Sequence, residues 1–391
     1  MKLLFLTFNY PPDLGAGSFR SQSLVETLVK NCNSNDQIEV ITTFPHRYKN
    51  FSKTAYEKEK NKNLTIHRVR LPNYFRNNFR LIINFIYYAF FVFKISRNKK
   101  YDIVFSTTSR LLTGFLGACI SSIKKTKYYL DMRDIFLDNI NEIYPKFVIY
   151  LLYPFVSVLE RFMMSQATKV NLISEGFSEY FLEKYPNIEY DYFTNGIDDE
   201  FLGPRKFYSI KKDKRINIVY AGNIGKGQGL SKILPELSTK LGKGVIFRVI
   251  GDGGEKNLLI NEINKYQSSN IELIEPIERD KLLEYYKTAD ILFLHLNNIK
   301  SFERVLPSKI FEYGAIGKPI FAGLKGYSRS FLRNEIKNSY IFDPCDVDGA
   351  LNAYKEVKFD IYKNSEFIQK YLRSNISKQM IGSIKKLYEK H

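Results

Sequence analysis

The chain reads as α/β, with two doubly wound, Rossmann-like halves. Three observations predict this. Apolar runs alternate with amphipathic stretches along most of the 391 residues, the pattern of parallel strands joined by crossover helices. A hydrophobic content of 44% over that length can bury more than one core. Between the two alternating series lies a stretch, 195–212, rich in Gly, Pro, Asp and Lys, where a linker belongs. In the first half, strands are expected at 2–8, 37–42, 66–70, 103–106, 128–131 and 170–173, with helices at 18–30, 111–122 and 178–183. In the second half, strands are expected at 216–220, 246–250, 271–274, 291–294 and 320–322, with helices at 231–241, 255–266, 280–288 and 309–314. A last helical run covers 364–390. The expected domains are 1–198 and 199–371, with a C-terminal helix over 372–391.

Charge narrows the partners. The formal net charge is +18, and such a field favours polyanions: nucleic acid, anionic lipid or phosphorylated substrates. No zinc-finger, helix-turn-helix or aromatic RNP-type pattern occurs, so no nucleic-acid partner is expected. Cys32, Cys119 and Cys345 are widely separated, which argues against a disulfide framework or zinc site and fits a reducing cytoplasm. His46, His67, His295 and His391 form no ligand pattern, so no tightly bound metal is expected. The run 2–8 enters an Asn-Tyr-Pro-Pro turn directly, unlike a signal peptide.

Three glycine turns follow expected strands. In P-P-D-L-G-A-G-S-F-R, residues 11–20, Gly15 and Gly17 permit close backbone approach, Ser18 can cap the next helix, and Arg20 follows. It is not the full dinucleotide fingerprint, because position 20 is Arg, and a tight turn alone also explains it. In A-G-N-I-G-K-G-Q-G-L, residues 221–230, Gly222, Asn223, Gly225, Lys226 and Gln228 lie between a β-run and a helix and suit an anion cradle. A flexible βα turn is the plainer alternative. The third, I-G-D-G-G-E, carries Gly251 and Gly253 and by itself is only a turn.

The densest segment is R-V-L-P-S-K-I-F-E-Y-G-A-I-G-K-P, residues 304–319. Pro307 and Ser308 are helix-start signals, and a helix beginning there aims backbone donors and its positive end at what precedes it, which suits phosphate. Lys309 in that first turn is electrostatically misplaced unless an anion neutralises it, and Glu312 follows on the same face. An ordinary αβ unit with a surface Lys–Glu pair is the alternative. Asp131, Arg133 and Asp134 sit at the end of another expected strand, where charged residues face a ligand crevice or satisfy one another as an ion network. Ser174, after the run 170–173, also faces that crevice, whereas Asn195-Gly196 reads as structural.

The P-S-K-x-x-E-Y-x-A-x-G-K-P run and the G-N-x-G-x-x-Q loop resemble those of GT-B glycosyltransferases of family 4, in the O-antigen and capsular polysaccharide branch with its aminosugar transferases. The resemblance covers essentially the whole chain. It implies two Rossmann-like domains facing a central cleft, the first binding the acceptor and the second the nucleotide-sugar, with the C-terminal helix crossing back to the first. It implies that Glu312 grips the ribose, that Lys309 lies near the phosphates, and that the loops at 222–228 and 251–253 border the nucleotide. Arg20 would meet a lipid-linked diphosphate, and Asp134 or Asp131 would orient or deprotonate the acceptor hydroxyl. Two positions depart from the family pattern. The second glutamate that many members carry eight residues upstream is Arg304 here, with Glu303 one residue off, and the usual arginine and lysine of the glycine loop are Asn223 and Gln228. Charge compensation then falls to Lys226, Lys309 or Arg304. The implied reaction is retaining transfer of a sugar, an N-acetyl aminosugar, from a UDP donor to a polyprenyl-diphosphate-linked saccharide. The resemblance implies no metal and no cofactor beyond the nucleotide-sugar co-substrate.

Two apolar segments bear on location. The run 81–95 is fifteen residues long, short of the roughly 20 needed to span a bilayer. Tyr74, Phe75, Arg76 and Arg80 precede it, and Arg97, Lys99 and Lys100 follow. The run 147–164 contains Pro154 and Glu160-Arg161, which argue against a span. Such basic-aromatic helices, near 75–100 and 147–164, suit peripheral docking on the anionic inner face of a membrane from the cytoplasm. A buried core helix is the alternative. Two rival functions stay open: a sugar-nucleotide epimerase of the same fold, and a catalytically degenerate membrane-associated binding protein.

Overall fold

The computed structural model describes residues 1–13, 15–45, 55–72, 78–143, 146–202 and 215–389. Tyr74, Phe75, Arg76, His46, His391 and most of the expected linker, 203–212, lie outside the described residues. The chain divides into two compact units, Met1–Asn195 with Arg373–His391, and Gly196–Leu372.

The first unit holds an eight-stranded sheet built from β1 (Lys2–Leu6), β2 (Gln37–Thr43), β3 (Lys58–Asn61), β4 (Leu64–Val69), β5 (Ile103–Thr107), β6 (Lys127–Met132), β7 (Lys169–Leu172) and β8 (Glu189–Asp191). Their order is β3-β4-β2-β1-β5-β6-β7-β8. All neighbours pair in parallel except β3, which runs antiparallel to β4 at the edge. Central strands are covered on both faces, so β1 reads as a continuous apolar run after Lys2 and β5 is buried at every position, Ser106 and Thr107 included. The edge strands β3 and β8 were not expected. Their sequences, KEKN and EYD, lack an apolar pattern because they are largely exposed edges, where charge discourages pairing with other chains. The helices of this unit are α1 (Ala16–Lys30), α2 (Asn78–Ser96), α3 (Leu111–Lys124), α4 (Phe136–Ile143), α5 (Lys146–Gln166) and α6 (Ser178–Lys184). The close seat of α3 on β5 and β6 depends on glycine: a Cβ on Gly117 would stand 2.6 Å from Ser106 Oγ.

The second unit holds a fully parallel sheet of β9 (Ile216–Ala221), β10 (Val245–Ile250), β11 (Ile271–Ile274), β12 (Ile291–His295), β13 (Ile320–Gly323) and β14 (Ser339–Phe342). Crossovers are made by α7 (Leu230–Leu241), α8 (Lys256–Lys265), α9 (Arg279–Thr288), α10 (Lys309–Ile316), α11 (Gly326–Glu335) and α12 (Val347–Lys355). The order β11-β10-β9-β12-β13-β14 is the doubly wound arrangement, and it reverses between β9 and β12. In such sheets the crevice beyond the strand ends at the reversal is where ligands bind.

The expected single helix over 364–390 is two, α13 (Ser365–Tyr371) and α14 (Arg373–Glu389). The break falls at Leu372, which makes an isolated parallel bridge to Ile197, while Ile197 N–H donates to Tyr371 O at 2.8 Å. The break coincides with the boundary between units. Beyond it α14 belongs to the first unit, where Met380, Ile381, Ile384 and Leu387 join Leu3, Phe5, Leu24 and Leu28 in one core. Ser23 and Ser377 hydroxyls meet at 2.9 Å across α1 and α14.

Candidate functional site

At the carboxyl ends of β9 and β10, two of the predicted glycine loops lie backbone against backbone. A Cβ on Gly251 would stand 1.9 Å from Gly222 O, and one on Gly253 would stand 2.3 Å from Ile224 O. Gly251 also has φ +146, so glycine is required there on two grounds. Gly222 N–H donates to Ile250 O at 2.9 Å and Ile224 N–H to Asp252 O at 3.0 Å, locking the loops together. Across the first loop, Asn223 Nδ2 donates to Gln228 Oε1 at 2.8 Å, and Lys226 is exposed. The loop delivers the chain into α7, whose first backbone N–H groups have no intrahelical partner.

α10 starts where Pro307-Ser308 predicts. Ser308 occupies the N-cap position in helical geometry and with no side-chain capping bond, and the Ile310 and Phe311 N–H groups donate instead to Pro307 O at 3.1 Å and Ser308 O at 3.2 Å. Lys309 Nζ donates to Glu312 Oε2 at 2.8 Å and to the Tyr286 hydroxyl at 3.0 Å, and that hydroxyl lies 3.2 Å from the same carboxylate oxygen. The Lys–Glu pair of the plainer reading is therefore formed, and it is half-buried. It occupies one carboxylate oxygen; among the described residues no hydrogen bond reaches Glu312 Oε1. Arg279 lies within electrostatic reach of Glu312, pairs with Asp198 of the Asn-Gly-Ile-Asp turn and donates to Glu200 at 3.0 Å. Arg304 ends a short helical turn, Lys300–Arg304, whose Phe302 and Glu303 line a shallow crevice with Asn297 and Lys325.

The first unit tells a different story at its sheet edge. Arg20 Nε and Nη2 donate to the two oxygens of Asp131 at 3.1 and 2.9 Å, while Nη1 and Nη2 reach Thr194 O at 2.6 Å and Phe193 O at 2.8 Å. Asn171 Nδ2 adds a further bond to Asp131 at 2.7 Å. Arg20 is 3% exposed and Asp131 1%. Burial pushes the Asp131 carboxyl up, but the Arg20 charge and its hydrogen bonds outweigh this and hold it below the usual range. The ion-network reading is thus the one the geometry gives for this pair: Arg20 and Asp131 are buried and bound to each other, and Arg20 to nearby backbone carbonyls. The cap expected at Ser18 does not form. α1 begins at Ala16 with Gly15 as its N-cap residue, so Ser18 sits inside the helix and its buried hydroxyl caps nothing. Gly17 faces Ser109, where a Cβ would make ordinary contact at 3.7 Å. Ser174 Oγ accepts from Gly176 N–H at 3.2 Å and caps a short turn.

Arg133 and Asp134 differ from that pair. They occupy the loop between β6 and α4 and are half-buried. Arg133 N–H donates to Thr108 Oγ1 at 2.8 Å, and its Nη1 has no hydrogen-bond partner among the described residues. Burial lowers Arg133 to about 10 against the pull of Asp131. Burial likewise raises Asp134 to about 6, opposed by the Arg133 charge.

Three residues of the second unit were not anticipated: Tyr286, His295 and Asn297. Tyr286 lies 26 residues before Glu312 in a helix with no motif of its own. His295 and Asn297 follow the apolar run of β12, and a polar pair ending a central strand was the available signal.

Residues 205–371 match the family described as Glycosyl transferases group 1. The chain is 27% identical over 163 residues to the putative colanic acid biosynthesis glycosyl transferase WcaI of Escherichia coli K12; the match covers 41% of this chain and only 38% of that relative. In fold, the chain is similar over 100% of both lengths to the sucrose-phosphate synthase of Thermosynechococcus elongatus, with TM-score 0.78 at 13% identity. It is similar over 99% of its length, and 100% of the other, to Anabaena Alr3699/HepE solved with UDP and glucose, with TM-score 0.72 at 13% identity. The two Rossmann-like units of this chain thus have the GT-B fold, and residues 205–371 match the glycosyl transferases group 1 family.

Proposed function

We propose that the chain is a retaining glycosyltransferase of cell-surface polysaccharide synthesis, moving a sugar from a UDP-sugar held by the second unit to a polyprenyl-diphosphate-linked saccharide taken by the first. The observation that carries this reading is the pair of interlocked glycine loops at the β9–β12 reversal, together with Glu312 at the start of α10. Backbone donors and helix N-termini suit a diphosphate, and the open oxygen of Glu312 suits a ribose hydroxyl. The solved Anabaena protein holds UDP and glucose, and the E. coli relative is named for colanic acid synthesis, which supports donor and pathway class. An N-acetyl aminosugar is the proposed cargo, from the motif resemblance.

In the reaction the bond from the sugar's anomeric carbon to the donor diphosphate breaks and a bond from the acceptor oxygen forms. Lys226, Lys309, the first N–H groups of α7 and the positive end of α10 stabilise the charge on the departing diphosphate. Asp134 takes the acceptor hydroxyl's proton, a role its raised pKa suits.

The lipid acceptor fits an exposed face of the first unit. α3 contacts both α2 and α5. Ile86 and Phe90 on α2, Ile123 on α3, and Tyr150 and Leu151 on α5 are all exposed. Lys94 and Arg161 are exposed on the same helices, and Arg97 and Lys125 are exposed just after α2 and α3. By length and composition α5 could also cross a bilayer. The proposed role is interfacial, because Glu160, Met163 and Met164 of α5 are buried and Glu160 accepts from Tyr180 at 2.8 Å and Lys184 at 2.7 Å.

A thermal-shift panel of UDP, GDP, ADP and CMP compounds tests the donor. A ligand at about 100 times its dissociation constant stabilises by ~2.7 kcal/mol, and a shift with UDP compounds alone is the expected result. Absence of any shift would sink the reading, and epimerised UDP-sugar formed without acceptor would replace it with an isomerase.

A further inference from the structure

The glycine loop 225–229 is held from behind by two side chains that no motif marks. His295 is fully buried at the end of β12, its ring parallel to Phe293 and close to Phe342. Cys345 N–H donates to its Nε2 at 2.9 Å, so Nε2 must be the bare nitrogen. The proton therefore sits on Nδ1, which donates to Gln228 O at 2.6 Å. Burial lowers the imidazole to about 4, so this neutral tautomer persists at neutral pH. The ring fits because residue 323 is glycine; a Cβ there would stand 2.2 Å from His295 Cδ2.

Asn297 provides the second brace. Its backbone N–H donates to Gly227 O at 2.9 Å, and its Nδ2 to Lys226 O at 2.8 Å. Its Oδ1 accepts from Lys232 Nζ at 3.2 Å and from the Cys345 thiol at 3.4 Å. It packs against Gly229, where φ is +58 and an added Cβ would stand 2.8 Å from Asn297 Cγ, so no side chain fits. Three successive carbonyls, those of Lys226, Gly227 and Gln228, are thus turned toward β12. In a planar trans peptide the N–H points opposite to the C=O of the same unit. The N–H groups of Gln228 and Gly229 are taken up by Gly225 O at 3.0 and 3.2 Å. Of the three N–H groups of these units, all aimed away from β12, that of Gly227 has no backbone hydrogen bond among the described residues.

We infer that His295 and Asn297 are positioning residues that set the peptide orientations of the loop so that Gly227 N–H is presented to the donor diphosphate. This rests on the proposed nucleotide site. Neither side chain touches substrate; both act through the loop. The test compares His295→Phe, which keeps the aromatic packing and loses both bonds, with Asn297→Ala. Affinities for UDP and UMP are measured by calorimetry on the full chain, with GDP/GMP and ADP/AMP as further pairs, and folding is checked by thermal melting. The expected result is a tenfold or greater loss of diphosphate affinity, less than threefold for the monophosphate, and faster amide exchange across Gly225–Gly229. A merely structural role would lower the melting temperature and leave the diphosphate-to-monophosphate ratio unchanged. That unchanged ratio in a folded variant overturns the inference. Should His295→Phe not fold, Asn297→Ala decides alone. Wild-type protein that binds none of the nucleotide pairs overturns the nucleotide site itself, and the inference with it.

Discussion

The carboxyl edges of the two sheets are built from opposite materials. In the first unit the edge carries charge, and the most conspicuous charges, Arg20 and Asp131, neutralise each other out of contact with water. In the second unit the edge at β9 and β10 is mostly backbone, with the two glycine loops packed against each other. On the proposed function, side-chain type is therefore a poor guide to which edge meets an anion. A guanidinium with its donors already committed offers a phosphate nothing, whereas a loop whose carbonyls are tied down offers N–H groups already oriented.

Substitutions can break or sharpen this contrast, beginning with the largest expected effect. Asp134→Asn should lower turnover by about 10²–10⁴-fold if the carboxylate is the base. Because burial raises Asp134 to about 6, wild-type turnover should climb as pH rises toward that value and level off above it, where the ionised form dominates. A pH–rate profile for Asp134→Asn that matched wild type would remove the base from the mechanism. Arg20→Ala should cost about 3–5 kcal/mol of stability by stranding a buried carboxylate, with little change in nucleotide affinity per folded molecule. Chemical denaturation and calorimetry together check this, and a stable variant that had lost acceptor affinity would restore Arg20 to the site. Glu312→Ala should weaken UDP binding by roughly 1–3 kcal/mol, the cost of an unmade charged hydrogen bond, and leave the first unit's melting unaltered. Wild-type affinity in that variant would dissolve the ribose assignment. Smallest are the surface cations: Lys94→Glu and Arg97→Glu should each reduce binding to anionic vesicles by about 1 kcal/mol or more, and leave weak binding to neutral vesicles unchanged, in a flotation assay.

Much of the second unit was legible because its site is local. The turn at 222–229, the turn at 251–253 and the helix start at Ser308 are each continuous in sequence, and each occupies the place its pattern implies. What escaped was whatever depends on partners distant in the chain. Nothing near Arg20 announces that Asp131, Phe193 and Thr194 will enclose it, from more than a hundred residues away. Tyr286 and His295 acquire their roles only when the strand order brings β9, α9 and β12 together. The edge strands were missed for another reason. β3 and β8 are short and half-solvated, so they never needed the apolar alternation by which strands are recognised. The break at Leu372 was hidden because 364–390 keeps helical character throughout; only the pairing with Ile197 interrupts it.

That pairing has a consequence for biogenesis. The second unit is a continuous segment whose two ends are pinned side by side by Ile197 and Leu372, so it has all its parts as soon as it leaves the ribosome. The first unit is not so placed: its core lacks Met380, Ile381, Ile384 and Leu387 until the final helix emerges. During synthesis, the half made first would be the half finished last, holding an incomplete apolar face while its younger neighbour closes. A released chain truncated after residue 372 should accordingly resist protease from residue 215 onward and be cut within the first 195 residues.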